Sequence, residues 1–68
     1  MVLKSNLYEL RTERGLLLPQ LAQRSGGVSV ATLNRIHNDV SDPRLSTVVA
    51  IAWALDVDIK QMFRIEKL

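Results

Sequence analysis

Three small residues, Ser25-Gly26-Gly27, constrain the fold of this chain more than any other stretch. They separate two short segments, residues 18–24 and 30–38, in which apolar residues recur at helical spacing. Glycine adopts a positive φ at little cost, so the chain can reverse abruptly here. Ala22 has almost no side chain, which lets a second helix cross closely. The stretch therefore predicts a helix-turn-helix.

Helical periodicity extends through the rest of the sequence, and no segment alternates cleanly with period two. The spacing predicts five helices, over residues 6–14, 18–24, 30–38, 44–55 and 58–64. Their inward-facing apolar residues are predicted to be Leu7, Leu10, Leu21, Ala22, Leu33, Ile36, Leu45, Val48, Ile51, Ala52, Leu55, Val57, Ile59, Met62 and Phe63. The sequence thus predicts one all-α domain over residues 1–68, with a C-terminal tail at 64–68.

Several residues at the predicted helix ends have the chemistry of caps. Asn6 followed by Glu9 matches a capping box, and Gly15 matches a left-handed C-cap. Ser29 is expected to cap the third helix, because its hydroxyl can accept from a first-turn amide. Asp58 is expected to cap the fifth helix in the same way.

Composition restricts the classes of function. The chain has no cysteine and a single histidine, His37, so we expect neither a disulfide framework nor a metal site. No apolar run approaches the roughly 18 residues of a membrane span, and the N-terminus lacks the apolar stretch of a signal peptide. No catalytic constellation is recognisable. We expect a cytoplasmic protein that is not an enzyme and needs no cofactor, metal or small-molecule ligand.

The net charge is only +2, but its distribution is uneven. Five arginines precede the last third of the chain: Arg11, Arg14, Arg24, Arg35 and Arg44. A basic front fits an anionic partner such as nucleic acid. Charge that is simply solvated would account for the same pattern.

Residues spread over about positions 6–63 match a known family in identity and spacing. They are Arg11, Arg14-Gly15-Leu16, Leu21-Ala22, Ser25-Gly26, Val28-Ser29, Thr32-Leu33, Arg35-Ile36, Pro43, Leu45, Ile51-Ala52, Ala54-Leu55 and Val57. With this pattern the chain resembles the phage repressor and Cro-type helix-turn-helix proteins, the XRE family. The resemblance implies a five-helix, lambda-repressor-like domain that binds double-stranded DNA as a dimer, with its third helix in the major groove.

The resemblance also implies two kinds of DNA contact. Base edges are expected to meet four residues of the third helix: Val30, Ala31, Asn34 and Arg35. Contacts with the sugar-phosphate backbone are expected from Leu18, Gln20, Ser29, Thr32, Asn38 and Arg44. Leu17-Leu18 replace the Thr-Gln pair that is usual in the family. Leu18 can offer a phosphate only its backbone amide, and Gln20 is expected to substitute for the missing glutamine side chain. Alternatively, these leucines simply add to the core.

The predicted recognition helix departs from the family pattern in three ways. The turn before it carries an additional glycine, which can shift the helix along the groove. Val30 and Ala31 can contact a thymine methyl group, but they discriminate less than a bidentate pair worth about 1–3 kcal/mol. His37 stands where the family often has a Glu paired with the arginine at position 11. We expect His37 to be half-buried and, when neutral, to accept a hydrogen bond from Arg11.

The fourth predicted helix is apolar beyond its core stripe, since Val49, Ala50 and Trp53 fall where the family usually has polar residues. An exposed apolar patch with a tryptophan is typical of a protein contact. A second copy of the chain is the simplest partner. We therefore predict a homodimer interface containing Val49, Trp53 and Phe63. In the alternative, residues 1–3 fold over Trp53 within one chain.

Two classes of function remain open. The first is a sequence-specific transcriptional regulator, most simply a dimeric repressor, of a phage-type switch, a restriction-modification controller or an antitoxin. The second is a protein-binding module on the same fold, antitoxin-like or an adaptor, with weak or no DNA binding. Leu17-Leu18, Val30-Ala31 and the acids Asp39 and Asp42 favour the second class, because none of them attracts phosphate. A salt titration distinguishes the two classes.

Overall fold

Five helices and a two-stranded sheet follow one another in a computed structural model that describes residues 2–38 and 43–66. The elements are β1 (Val2–Ser5), α1 (Leu7–Glu13), α2 (Leu18–Arg24), α3 (Val30–His37), α4 (Leu45–Leu55), α5 (Ile59–Met62) and β2 (Phe63–Glu66). The predicted helices agree with these bounds to within two residues at each end. The acids at positions 39 and 42 lie outside the described residues.

The all-α prediction is wrong at the two ends of the chain, where β1 and β2 pair antiparallel. Leu3 faces Ile65 and Ser5 faces Phe63 in this ladder, so Phe63 and Arg64 belong to a strand and not to the fifth helix. The Arg64 side chain supports the pairing, because its Nη1 donates to Ser5 O at 3.3 Å and to Asn6 Oδ1 at 2.6 Å. Strands of four residues that pair across almost the whole chain leave little local signal in a sequence.

The core lies between the five helices and, apart from Leu16, is made of residues that the apolar spacing predicts. Its fully or largely buried members are Leu7, Leu10, Leu16, Leu21, Leu33, Ile36, Val48, Ile51, Ala52, Leu55 and Met62. Ala22, Val57 and Phe63 pack against this cluster and are partly buried. Burying each large side chain stabilises the fold by about 1.5–3 kcal/mol. These residues fix the orientation of α3 and α4.

The predictions for Leu45 and Ile59 are wrong, because both side chains are exposed and Leu45 keeps 70% of its surface accessible. On α4 the buried stripe consists of Val48, Ile51, Ala52 and Leu55. Leu45 is four residues before Val49, so it lies on a neighbouring face of the helix. Because α4 is very apolar, its sequence pattern does not distinguish the buried face from the exposed face beside it.

The helix ends confirm three predicted caps. Gly15 follows α1 with φ of +63°, and its N–H donates to Thr12 O at 3.0 Å. The Ser29 hydroxyl accepts from the Thr32 N–H at 3.1 Å and caps α3. Asp58 holds the N-cap position of α5.

The capping box predicted at Asn6 and Glu9 is wrong, because the Asn6 side chain makes no cap bond to α1. The hydroxyl of Ser5 accepts from the Leu7 N–H instead, at 3.0 Å. Asn6 Nδ2 donates to Gln61 O at 3.0 Å. The sheet brings α5 and β2 against the start of α1, and these tertiary partners replace the local cap.

Within the described ranges, no helix has both the length and the apolar character that a membrane crossing requires.

Candidate nucleic-acid interface

The turn between α2 and α3 reverses the chain through two consecutive glycines with positive φ. Gly26 has φ of +75° and Gly27 has φ of +107°. A methyl group built on either glycine would meet no atom within 4 Å, so the backbone conformation, and not space, requires glycine here. The Ser25 hydroxyl donates to Leu21 O at 2.7 Å and ends α2. Together these residues set the angle at which α3 leaves α2.

α3 is held by one face and leaves its other face open. Leu33 and Ile36 are buried in the core. The four predicted base-contacting residues are all exposed: Val30, Ala31, Asn34 and Arg35. We call these four residues the recognition face. No described residue covers the recognition face, which is therefore accessible to a ligand as large as a DNA duplex.

At the start of α3, the polar side chains of Ser29 and Thr32 hydrogen-bond to each other. The Ser29 hydroxyl donates to Thr32 Oγ1 at 2.8 Å while it accepts from the Thr32 N–H. Thr32 is half-buried. Val30 keeps 42% of its surface exposed beside this pair. The leading end of the recognition face is therefore apolar.

The last turn of α3 is polar and ordered by an amide pair. Asn38 Nδ2 donates to Asn34 O at 2.9 Å and to Asn34 Oδ1 at 3.3 Å. These bonds hold the Asn34 carboxamide, whose own Nδ2 remains available as a donor. Arg35 is exposed beside Asn34. The trailing end of the recognition face thus presents hydrogen-bond donors and one positive charge.

At the start of α2, the two leucines that replace the family's usual polar pair differ in burial. Leu18 is half-buried and packs against the core, whereas Leu17 is 63% exposed. Gln20 Oε1 accepts from the Leu17 N–H at 2.9 Å, which is the half of a capping box that Gln20 can supply, whereas a leucine side chain cannot accept from the first-turn amides. Gln20 Nε2 is left as the side-chain donor at this end of α2.

The five arginines that precede the last third of the chain fall into two groups. Arg11 Nη1 donates to Leu16 O at 2.7 Å, and Arg14 Nε donates to Leu55 O at 2.6 Å. The Arg11 guanidinium therefore stabilises the loop between α1 and α2, and the Arg14 guanidinium stabilises the end of α4. Arg24, Arg35 and Arg44 are exposed, and within the described part of the chain they have no hydrogen-bond or ion-pair partner. Among these five arginines, Arg24, Arg35 and Arg44 are the ones free to meet an anion.

The hydrogen bond predicted between Arg11 and His37 is wrong, although His37 is half-buried as expected. The Tyr8 ring lies 5.0 Å from the His37 ring, centroid to centroid, and the Arg11 guanidinium carbon lies 5.4 Å from the Tyr8 centroid. His37 Nε2 and Arg11 Nε find no hydrogen-bond partner among the described residues. The two side chains instead share the aromatic ring, while Arg11 donates to a backbone carbonyl.

A groove of about 450 Å³ separates the turn and the start of α3 from the first turns of α4. Hydroxyl groups line it, from Ser25, Ser29, Thr32, Ser46 and Thr47. Arg44 occupies the N-cap position of α4 at this end of the helix. Two helices begin at the groove, and helix N-termini with hydroxyl groups favour phosphate oxygens.

The predicted dimer residues lie on two adjoining apolar surfaces. Val49 and Trp53 follow Leu45 at intervals of four residues along α4, and we call these three residues the apolar stripe. Trp53 is 78% exposed. Phe63 is half-buried and, with Leu45, lines an apolar groove of about 300 Å³. The stripe and the groove meet at Leu45.

Leu3 does not cover Trp53 as the alternative expects, and Met1 lies outside the described residues. Leu3 lies in β1 opposite Ile65, and the Trp53 side chain remains the most exposed of the large apolar residues in the described ranges. The N-terminal strand contributes instead to the apolar groove, which Leu3 also lines.

A comparison with family models places this geometry. The model described as Helix-turn-helix matches residues 7–61, from the start of α1 into α5. A comparison with curated proteins found no match. The matched region contains α2, the glycine turn and α3, and the family is one of DNA-binding regulatory domains and not of enzymes. The chain belongs to the XRE-family helix-turn-helix proteins, the family of the Cro and cI repressors.

Proposed function

We propose that this protein is a sequence-specific transcriptional regulator that represses by occupying an operator as a homodimer, with α3 in the major groove. One observation carries the proposal: α3 is anchored by Leu33 and Ile36 while its recognition face stays uncovered. An α-helix fits the major groove, where base edges present distinct patterns of donors, acceptors and methyl groups.

The electrostatics of the proposed complex are modest. Three free arginines per subunit, Arg24, Arg35 and Arg44, are the candidates for contacts with phosphate. The hydroxyl-lined groove and the amides at the helix starts add phosphate contacts without a side-chain charge, so they release few counterions from the DNA. If all three arginines of both subunits neutralise phosphates, log K falls with log salt with a slope of about −5. Specificity then depends on the recognition face more than on charge.

The apolar stripe on α4 supports the homodimer. Leu45, Val49 and Trp53 form a continuous exposed row, and monomeric proteins rarely expose such a row without a partner. A two-fold symmetric contact uses the same patch on both subunits, so one self-complementary stripe is enough. The dimer places two α3 helices about 34 Å apart, one turn of B-DNA.

Selection of bound duplexes from a random library tests the proposal. We expect a palindromic consensus whose half-sites are one helical turn apart, because two symmetric subunits read the same sequence. The affinity for the selected duplex is then measured by fluorescence anisotropy at several salt concentrations. A steep linear loss of affinity with salt supports binding through phosphates. Failure of any sequence to be enriched contradicts DNA recognition.

A second candidate function is a protein-binding module on the same fold. The observation that favours it is the number of exposed apolar side chains outside the stripe, above all Leu17 and Val30. A module of this kind would show no enriched duplex, and its complexes would change little with salt because apolar contacts are not screened. The selection and the salt titration therefore separate the two candidates.

A further inference from the structure

We infer that the leading end of α3 reads the C5-methyl group of a pyrimidine, in thymine or in 5-methylcytosine, through Val30 and Ala31. The inference rests on the proposed function, since it assigns a chemical group of DNA to the recognition face. It predicts which bases the protein prefers, beyond the statement that it binds a duplex.

The leading turn of α3 presents an apolar surface. Val30 is β-branched, 42% exposed and stands at the first helical position, and Ala31 beside it is exposed. The polar groups of the same turn, on Ser29 and Thr32, are bonded to each other at 2.8 Å. The surface that would enter a groove first therefore consists mainly of methyl groups.

The base edges in the major groove differ in the groups that they present to a valine. In the major groove the C5-methyl group of thymine is the apolar feature of an unmodified base pair, and the other groups are donors or acceptors. A valine placed against the N4 amino group of cytosine or against guanine O6 would remove water from that group without replacing its hydrogen bond. A valine placed against a methyl group buries apolar surface on both sides. The C5-methyl group is thus the best match for Val30.

The trailing end of α3 is polar, in contrast to its apolar leading end. Asn34 and Arg35 supply polar groups one turn later, and Asn38 holds the Asn34 amide. Polar readout is therefore concentrated in the second turn, which leaves the first turn to apolar readout. Thymine and 5-methylcytosine carry the same methyl group, so the geometry of α3 accepts both.

The experiment compares duplexes that differ at one pyrimidine of the selected half-site. Thymine is exchanged for deoxyuridine opposite adenine, and cytosine for 5-methylcytosine opposite guanine. Each exchange changes one methyl group and no Watson–Crick hydrogen bond. We expect wild-type protein to bind the methylated member about four-fold more tightly, the affinity change that corresponds to one buried methyl group.

Two variants identify the reader of the methyl group. Val30→Thr keeps the shape of the side chain but places a hydroxyl in the contact, and Val30→Ala shortens it. Val30 is exposed, so circular dichroism should show an intact fold in both variants. We expect the affinity ratio between methylated and unmethylated duplexes to fall toward about two in both variants, because Val30 loses one or both of its γ-methyl groups while Ala31 keeps its own methyl group. The same exchange outside the half-site is the DNA control and should change nothing.

The outcomes separate this inference from the proposed function. Equal affinity for both members at every pyrimidine of the half-site overturns the inference, while preference for the operator over a scrambled duplex leaves DNA recognition standing. An unchanged ratio in both Val30 variants also overturns it. A ratio at thymine alone assigns thymine as the source, and equal ratios at both pyrimidines assign either source. The absence of any enriched duplex overturns the inference and the proposed function together.

Discussion

The outward faces of α3 and α4 expose valines to nearly the same extent, 42% for Val30 and 45% for Val49, yet their surroundings differ. Val30 stands beside an exposed arginine and an ordered amide pair. Val49 stands between Leu45 and Trp53 in the apolar stripe, without a charge among the three. Exposure alone therefore does not define a ligand. A mixed face suits the donors, acceptors and methyl groups of base edges, whereas a purely apolar row suits another protein surface.

The largest predicted effect belongs to the apolar stripe. Replacing Trp53 by Ala should weaken the dimer by about 2 kcal/mol or more, roughly thirty-fold in the dissociation constant, because buried tryptophans dominate interfaces. Sedimentation equilibrium measures the change. Leu45→Ala should act in the same direction and Leu17→Ala should not, although both leucines are strongly exposed. An unchanged dimer in Trp53→Ala would place the interface elsewhere.

The next effect belongs to the recognition face. Arg35→Ala should lower affinity for the selected operator by about 1–3 kcal/mol, since it removes a base or phosphate contact together with a free charge. Lys60→Ala is the matched control, because it removes the same charge from an exposed position on α5. Anisotropy titrations with labelled duplex compare the two variants. Equal losses would mean that charge matters and α3 does not.

The turn offers a way to disturb α3 without touching α4. Gly27→Ala places a side chain at φ of +107° and should cost about 1–2 kcal/mol of folding free energy through backbone strain. We expect a lower thermal midpoint and weaker DNA binding, with the dimer constant unchanged at temperatures where the variant is folded. Thr12→Ala, at an exposed position on α1, serves as the comparison. An unchanged thermal midpoint in Gly27→Ala would show that the turn relaxes and accommodates the side chain without strain.

The smallest effect concerns the amide pair at the end of α3. Asn38→Ala removes the bonds that hold the Asn34 amide and should cost about 0.5–1.5 kcal/mol in the preference for the base that Asn34 faces. Repeating the selection with the variant measures this preference. A consensus identical to that of the wild type would show that Asn34 is oriented without Asn38.

The sequence predicts the helices and most of the core because apolar spacing is a local signal. Leu33 and Ile36 are three residues apart and share one face, and this spacing alone predicts that Asn34 and Arg35 face outward. Caps such as Ser29 are equally local. The choice of Val30, Ala31, Asn34 and Arg35 as base contacts comes instead from the resemblance to the family.

The remaining features depend on partners that are distant in the sequence. Arg14 donates to Leu55 O and Arg64 to Asn6 Oδ1, so the arginines left free for an anion emerge only once the helices are packed. The pairing of β1 with β2 joins the two ends of the chain, and the exposure of Leu45 depends on how α4 rotates against its neighbours. None of these contacts has a local pattern.

The central claim is that the recognition face of α3 meets DNA, and a nitrogen–proton correlation spectrum of the labelled protein tests it most directly. The selected operator is added stepwise while the backbone amides and the Trp53 indole are followed. The account predicts the largest shifts at Val30, Ala31, Asn34 and Arg35, with the Trp53 indole signal unmoved once dimers are formed. Large shifts along the apolar stripe, with α3 unperturbed, would contradict it.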